Sequence, residues 1–205
     1  MPVPDWIEAT NKLGTLGIAL VSATYAYLQY RRSQRWKSGD LAAGMMEKLT
    51  SDPQISLACN ALDWGVGPLI IPEKYRELFR SADEAFVPGT IQHDPAVLCS
   101  AMQPYLNEAT LKDPRGLIYR YCFITFFEHL DQIASMLKKK QIQIEDIDSL
   151  RYWLKNLCKY PYAPAGMNPK LVFAPALELW GYQKVFWLAE QLGVVGWSRE
   201  QASGN

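Results

Sequence analysis

Residues Leu13 to Tyr30 form an eighteen-residue run without a charged side chain, and Arg31, Arg32, Arg35 and Lys37 follow it directly. A bilayer core about 30 Å thick is crossed by roughly 20 mostly apolar helical residues. The run is a little short and is diluted by Thr15, Ser22 and Thr24. In a helix each of these hydroxyls can bond back to its own backbone, which makes it tolerable in lipid. Trp6 and Trp36 stand thirty positions apart, about 45 Å of helix at about 1.5 Å per residue. That matches a bilayer with its headgroups. Indole rings favour that interface, as do the tyrosines Tyr25, Tyr27 and Tyr30 that crowd the end of the run. The pattern predicts one transmembrane helix, with Trp6, Tyr30, Arg31, Arg32, Arg35, Trp36 and Lys37 at the membrane interface.

Orientation follows from the cations. Asp5, Glu8 and only Lys12 precede the run, whereas four cations follow it within seven residues. The positive side stays in the cytoplasm, so the expected location is the inner (cytoplasmic) membrane, with the N-terminus outside and the C-terminal domain cytoplasmic. A cleaved signal peptide fits poorly, because the stretch before the run is not basic and no clean small-x-small site precedes Arg31. Gly17, Ala19, Ser22, Ala23 and Ala26 are small enough for close helix packing, a possible self-association face.

The remaining length suffices for one domain with a real core. Of 21 Lys/Arg and 21 Asp/Glu, residues 1–39 hold five and two, which leaves 40–205 with 16 and 19 and a net charge of −3. That balance argues against nucleic acid as a partner. The basic stretch 31–37 attracts anionic lipid heads at about 1 kcal/mol per cation. Cys59, Cys99, Cys122 and Cys158 are widely spaced, with no CxxC and no histidine pair nearby. They read as reduced, buried thiols of a cytosolic domain rather than as a zinc site.

Helix signals dominate the rest of the chain. Asp52-Pro53, Asp94-Pro95 and Asp113-Pro114 each place a capping carboxylate before a proline that has no N–H to leave unsatisfied. They predict helices over 53–63, 95–106 and 114–140, with another over 73–84 after Pro72. In the third, Tyr119, Phe123, Phe126, Phe127, Leu130, Ile133, Ala134 and Leu137 recur at three- and four-residue spacing, which is one apolar stripe. The run Lys138-Lys139-Lys140 closes it at the negative end of the helix dipole. A further helix is expected over 144–158. A last one runs from Asn168-Pro169 to about Leu192, kinked at Pro175 and ended by Gly193 and Gly196. Trp64-Gly65-Val66-Gly67-Pro68 reads as a tight turn and Leu69-Ile70-Ile71 as a short extended piece, with no convincing sheet. The fold class is therefore all-α. A single N-terminal transmembrane helix (1–30) and a basic juxtamembrane helix (31–50) precede a helical-bundle cytoplasmic domain (51–197) and a loose tail (198–205).

Five residues are the candidates for an interaction surface or pocket. Glu128 lies beside Phe126, Phe127 and His129, where a carboxylate half-buried among rings would have a raised pKa; pairing with Arg120 or Arg151 is the plainer role. Asp63 and Trp64 end a helix beside glycines. Trp180 and Trp187 belong to an aromatic-rich C-terminal part. No glycine-rich phosphate loop, GxSxG, HExxH or acidic metal cluster occurs, so no catalytic residue, metal or cofactor is assigned.

The segment Gln29-Tyr30-Arg31-Arg32-Ser33-Gln34-Arg35 and the central Phe126-Phe127-Glu128-His129-Leu130 give the chain a layout that resembles a broad group of uncharacterised bacterial proteins. These have one N-terminal transmembrane helix and a small helical cytoplasmic domain. The resemblance implies that architecture, a packing role for Glu128, and no activity. Three functions are open. The leading one is a membrane-tethered, non-enzymatic interaction or accessory subunit that binds a partner protein. The second is a ligand-gated membrane effector, in bacterial stress or phage defence, that oligomerises through its helix. The third is an enzyme using Glu128.

Overall fold

The structure, a computed structural model, describes residues 5–79, 89–103, 113–194 and 197. For 5–14 and 77–79 it gives the backbone alone, so the side chain of Trp6 lies outside the description, as does the expected tail 198–205. By internal contact the chain divides into residues 1–41 and 42–205.

Helix α1 runs unbroken over Asp5–Ser51, so the apolar run and the basic stretch are one rod, as the absence of proline from 31–48 predicts. In its first unit Leu16, Ile18, Leu20, Val21, Tyr25, Tyr27, Leu28 and Tyr30 are each more than half exposed. The expectation of a transmembrane helix is corrected in one respect: among the described residues no helix is long and apolar enough to cross a membrane. Thr15, Ser22, Thr24, Gln29 and three tyrosines lower the hydropathy of the run.

In the second unit the last turns of α1 bury Ala42, Met45 and Leu49. The spacing of three and four places them on one stripe. Helix α2 (Pro53–Asp63) starts where expected, with the Asp52 carboxylate accepting from the N–H groups of Gln54 and Ile55. Strand β1 (Pro68–Ile70) pairs antiparallel with β2 (Thr90–Gln92), Leu69 opposite Ile91. This two-stranded sheet corrects the reading of 69–71 as an isolated extended piece. The His93 N–H donates to Gly67 C=O and the Ile71 N–H to Gly89 C=O. Odd positions of β1 therefore bond inward, and Pro68 sits where an N–H would point away from β2, the position in a strand that tolerates proline. In place of a helix over 73–84, Glu73–Phe79 is a 3-10 turn, and the remainder lies outside the described residues.

Helix α3 (Pro95–Ala101) and helix α4 (Pro114–Lys138) are both capped by the aspartates read from the sequence. The end of the expected 95–106 helix lies outside the described residues. Helix α4 is the centre of the unit and packs against α2, α3 and, beyond it, α7 (Lys184–Gln191). Its stripe of Tyr119, Phe123, Phe126, Phe127, Leu130, Ile133 and Ala134 is fully buried. Phe123 stacks on Phe173 at 5.1 Å between centroids.

The C-terminal third is more broken than the sequence suggests. The expected 144–158 helix divides into a 3-10 turn, Ile144–Ile147, and helix α5, Leu150–Cys158. The expected long last helix becomes a turn at Pro169–Leu171, helix α6 (Ala174–Leu179) and α7. The break between α6 and α7 comes at Gly181, whose φ of 84° favours glycine. Gly193, at φ 69°, ends α7 as expected. All four cysteines are free and buried.

Candidate functional site

The structure distributes the five candidates over three places. Asp63 and Trp64 close α2, Glu128 and Trp180 each contact a neighbour along the middle of α4 or its flank, and Trp187 lies at the far end of α4.

Glu128 is exposed rather than half-buried. This corrects the reading of a carboxylate half-buried among rings. On α4 the buried arc passes through Phe127 and His129's neighbour Leu130, and position 128 turns outward. The Glu128 carboxylate accepts the Tyr182 hydroxyl at 3.3 Å. Neither expected arginine reaches it. Arg120 lies over the Trp180 ring at 4.7 Å and donates to Gln103 C=O, while Arg151 pairs with Asp148 at 2.6 Å. Trp180 itself is half-buried against Phe127, centroids 6.1 Å apart, so its body belongs to the core and its outer face carries the guanidinium.

Trp187 is also half-buried, and the Lys138 ammonium sits over it at 4.6 Å. The lysine run is thus only partly a solvated terminus. Beside it a groove of about 470 Å³ opens between the end of α4 and α7, with Leu137, Ile142, Ile144 and Trp187 as its apolar walls and Lys140 and Glu145 at its rim. Lys140 adopts φ 56° to turn the chain out of α4.

Asp63 and Trp64 form the best-defined surface. The end of α2 brings them to two tyrosines about a hundred residues away in sequence. Tyr152, on α5, donates its hydroxyl to the Asp63 carboxylate, and Tyr162 donates to Asp63 C=O at 2.7 Å. The Tyr162 ring lies so close to Gly65 that a Cβ there would be 2.7 Å from its Cδ1. Glycine at 65 is therefore a requirement of the aromatic contact, since φ there is unexceptional. Trp64 is 43% exposed. It stands at the surface with Val66 and Ile70, 78% and 69% exposed. Apolar side chains in such a cluster are the type that partner surfaces use.

Sequence reading missed the polar interior. His93 Nδ1 lies 2.7 Å from the Tyr119 hydroxyl and Nε2 lies 3.2 Å from that of Tyr160. Burial lowers the pKa of His93 despite the opposing charge of Asp94. His129 donates from Nε2 to Met45 C=O at 2.8 Å, joining α4 to the end of α1. Desolvation dominates there too and lowers its pKa. The chain has only two histidines, and their polar neighbours Gln92, Asp94 and Glu128 gave no signal of burial. Among the described residues no group of His, Cys, Asp and Glu is placed to hold a metal ion. Compared with protein-family models, curated proteins and solved structures, the chain matches none.

Proposed function

We propose that this protein is a membrane-tethered, non-enzymatic interaction subunit. Helix α1 associates with the bilayer, and the helical unit after it binds a partner protein on the cytoplasmic side. The observation that carries the reading is the exposure of eight large apolar side chains between Leu16 and Tyr30 on a helix that continues into Arg31, Arg32, Arg35 and Lys37. Water does not tolerate such a surface uncovered, and acyl chains followed by anionic headgroups match its order. The internal bonds of its polar groups support the same reading. The Thr24 hydroxyl donates to Leu20 C=O at 2.8 Å, and Gln29 Nε2 donates to the Tyr25 hydroxyl at 2.8 Å. The Thr24 hydroxyl is thereby satisfied in lipid, and Gln29 has one of its amide bonds made within the helix.

Membrane fractionation with protease protection of a C-terminal tag tests it. The expected result is a protein that resists alkaline extraction, with a tag protected in intact spheroplasts and cut in inverted vesicles. Release by alkali would reduce α1 to a surface contact. A protein found only in the soluble fraction would overturn the membrane reading and leave the apolar face of α1 for a protein to cover.

The groove at Trp187 favours a second reading, a ligand-gated membrane effector that assembles through α1. Its size and its mixture of apolar walls with Lys140, Gln143, Glu145 and Gln191 suit a small molecule. Unchanged oligomeric state and unchanged membrane potential across a panel of nucleotides and metabolites would remove it.

A further inference from the structure

We propose that the outward surface shared by the segment Trp64–Ile70 and the exposed side of α5 docks an acidic, apolar-bearing segment of a partner protein. This deepens the proposed role of the helical unit as a binding module and rests on it.

The first observation is the way the segment divides its side chains. Leu69 and Ile71 go into the core, whereas Trp64, Val66, Pro68 and Ile70 stay outside. A short strand normally sets its apolar face inward and a polar face to water. Here both sides are apolar, and the outer one has nothing over it among the described residues.

The second observation is rigidity. Tyr152 and Tyr162, 49% and 37% exposed, border this ridge. Both hydroxyls are held by Asp63, one on its carboxylate and one on its carbonyl. The Tyr162 ring is further seated on Gly65. Aromatic side chains fixed before binding lose little entropy when a partner arrives, which is what makes tyrosine and tryptophan effective anchors.

The third observation is charge, and it selects the partner. On α5 the buried side is Leu150, Leu154, Leu157 and Cys158. At 100° per residue the opposite side presents Tyr152 and Lys155, and Lys159 caps the end of the helix; all three are exposed. Arg151 is neutralised by Asp148, whereas the Tyr152 hydroxyl that binds the Asp63 carboxylate brings no countercharge. Lys155 and Lys159 have no ion pair among the described residues. Two lysines without an ion pair stand against the one Asp63 carboxylate, so the balance beside the aromatic ridge is positive, and an acidic segment complements it. Pro68 removes one of the two outward N–H groups of this three-residue strand, so its edge offers little for strand addition and recognition rests on side chains.

The test uses the full chain in its own membranes, with Tyr152→p-benzoylphenylalanine as a photo-crosslinking probe and the same probe at Leu179, which is exposed on α6. The expected product at 152 is an adduct to a polypeptide segment in which Asp and Glu outnumber Lys and Arg, as mapped by mass spectrometry. Lys155→Glu with Lys159→Glu should lower its yield by about tenfold, with an unchanged melting curve because both side chains are solvated. An adduct to lipid, an adduct to a neutral or basic segment, an unchanged yield in the charge-reversed variant, or no adduct at 152 overturns the proposal. A polypeptide adduct at 179 without one at 152 would leave the binding module standing and remove this surface. No polypeptide adduct at either position counts against both.

Discussion

His93 Nδ1 lies 2.7 Å from the Tyr119 hydroxyl, whose oxygen also accepts the Asp94 N–H at 3.1 Å. With its oxygen so engaged, Tyr119 gives its own proton to Nδ1. The remaining ring proton is then on Nε2 and donates to the Tyr160 hydroxyl, which in turn donates to Ala61 C=O at 3.3 Å. Every proton in this buried chain has an acceptor only when the imidazole is neutral, and the tautomer is assigned from that network. The same burial pushes the Tyr119 and Tyr160 hydroxyls well above their ordinary ionisation range.

The first prediction concerns acid. In the folded chain the pKa values of His93 and His129 lie below the ordinary 6.5, with desolvation the main cause for both. The unfolded chain then binds more protons as pH falls. The stability contributed by the neutral rings is complete above about pH 6.5 and is lost as pH falls from there toward the folded values. Melting temperature should therefore drop between pH 7.5 and pH 5, and Tyr119→Phe, which leaves Nδ1 without its donor, should lower it at neutral pH as well. A flat profile over that range would contradict buried neutral histidines.

Gly65→Ala should destabilise the protein by about 1–3 kcal/mol, the usual cost of forced overpacking. The new Cβ would come within 2.7 Å of the Tyr162 ring. Tyr162→Ala costs its own contact but should make Gly65→Ala nearly neutral. A double-mutant cycle by urea unfolding measures this coupling, and additive effects would count against the contact.

The thiols should be inert in the folded state. Burial is the main cause that pushes Cys59, Cys99 and Cys122 up to about 12, and it raises Cys158 as well. Since the thiolate is the reactive form, a disulfide reagent at pH 8 should label none of the four rapidly in the native protein and all of them in denaturant.

The capping aspartates should separate by substitution. Asp52→Ala and Asp113→Ala each remove acceptors at a helix start and should cost about 1 kcal/mol. Asp52→Asn retains the cap and should be close to neutral. Asp113→Asn should cost a little more, because Asp113 also holds the Arg115 guanidinium at 2.7 Å in a half-exposed pair.

Glu128→Gln should change stability by less than about 0.5 kcal/mol. The side chain is exposed, and an amide oxygen can still accept the Tyr182 hydroxyl. A large loss by thermal unfolding would mean that the carboxylate has a partner of greater weight.

Local chemistry was legible in the chain. The Asp-Pro starts at 52, 94 and 113, the apolar stripe of α4 and the end of α7 at Gly193 depend on neighbours within a turn, so residue order alone determined them. The continuity of α1 through Gly39 and Gly44 is of the same kind. What lay beyond the sequence depends on residues far apart. The pairing of β1 with β2 spans an undescribed stretch, His93 meets tyrosines 26 and 67 positions on, and Gly65 must be bare because of a ring nearly a hundred residues away. The outward turn of Glu128 is a matter of a single residue's phase on a helix, which decides between rings and water. Sequence by itself determined where helices begin, which of their sides are apolar and where the cations gather. Only the tertiary structure decided which polar groups are buried together and that Trp64 stands at the surface, because burial is a property of every element packed around a side chain and not of the element that carries it.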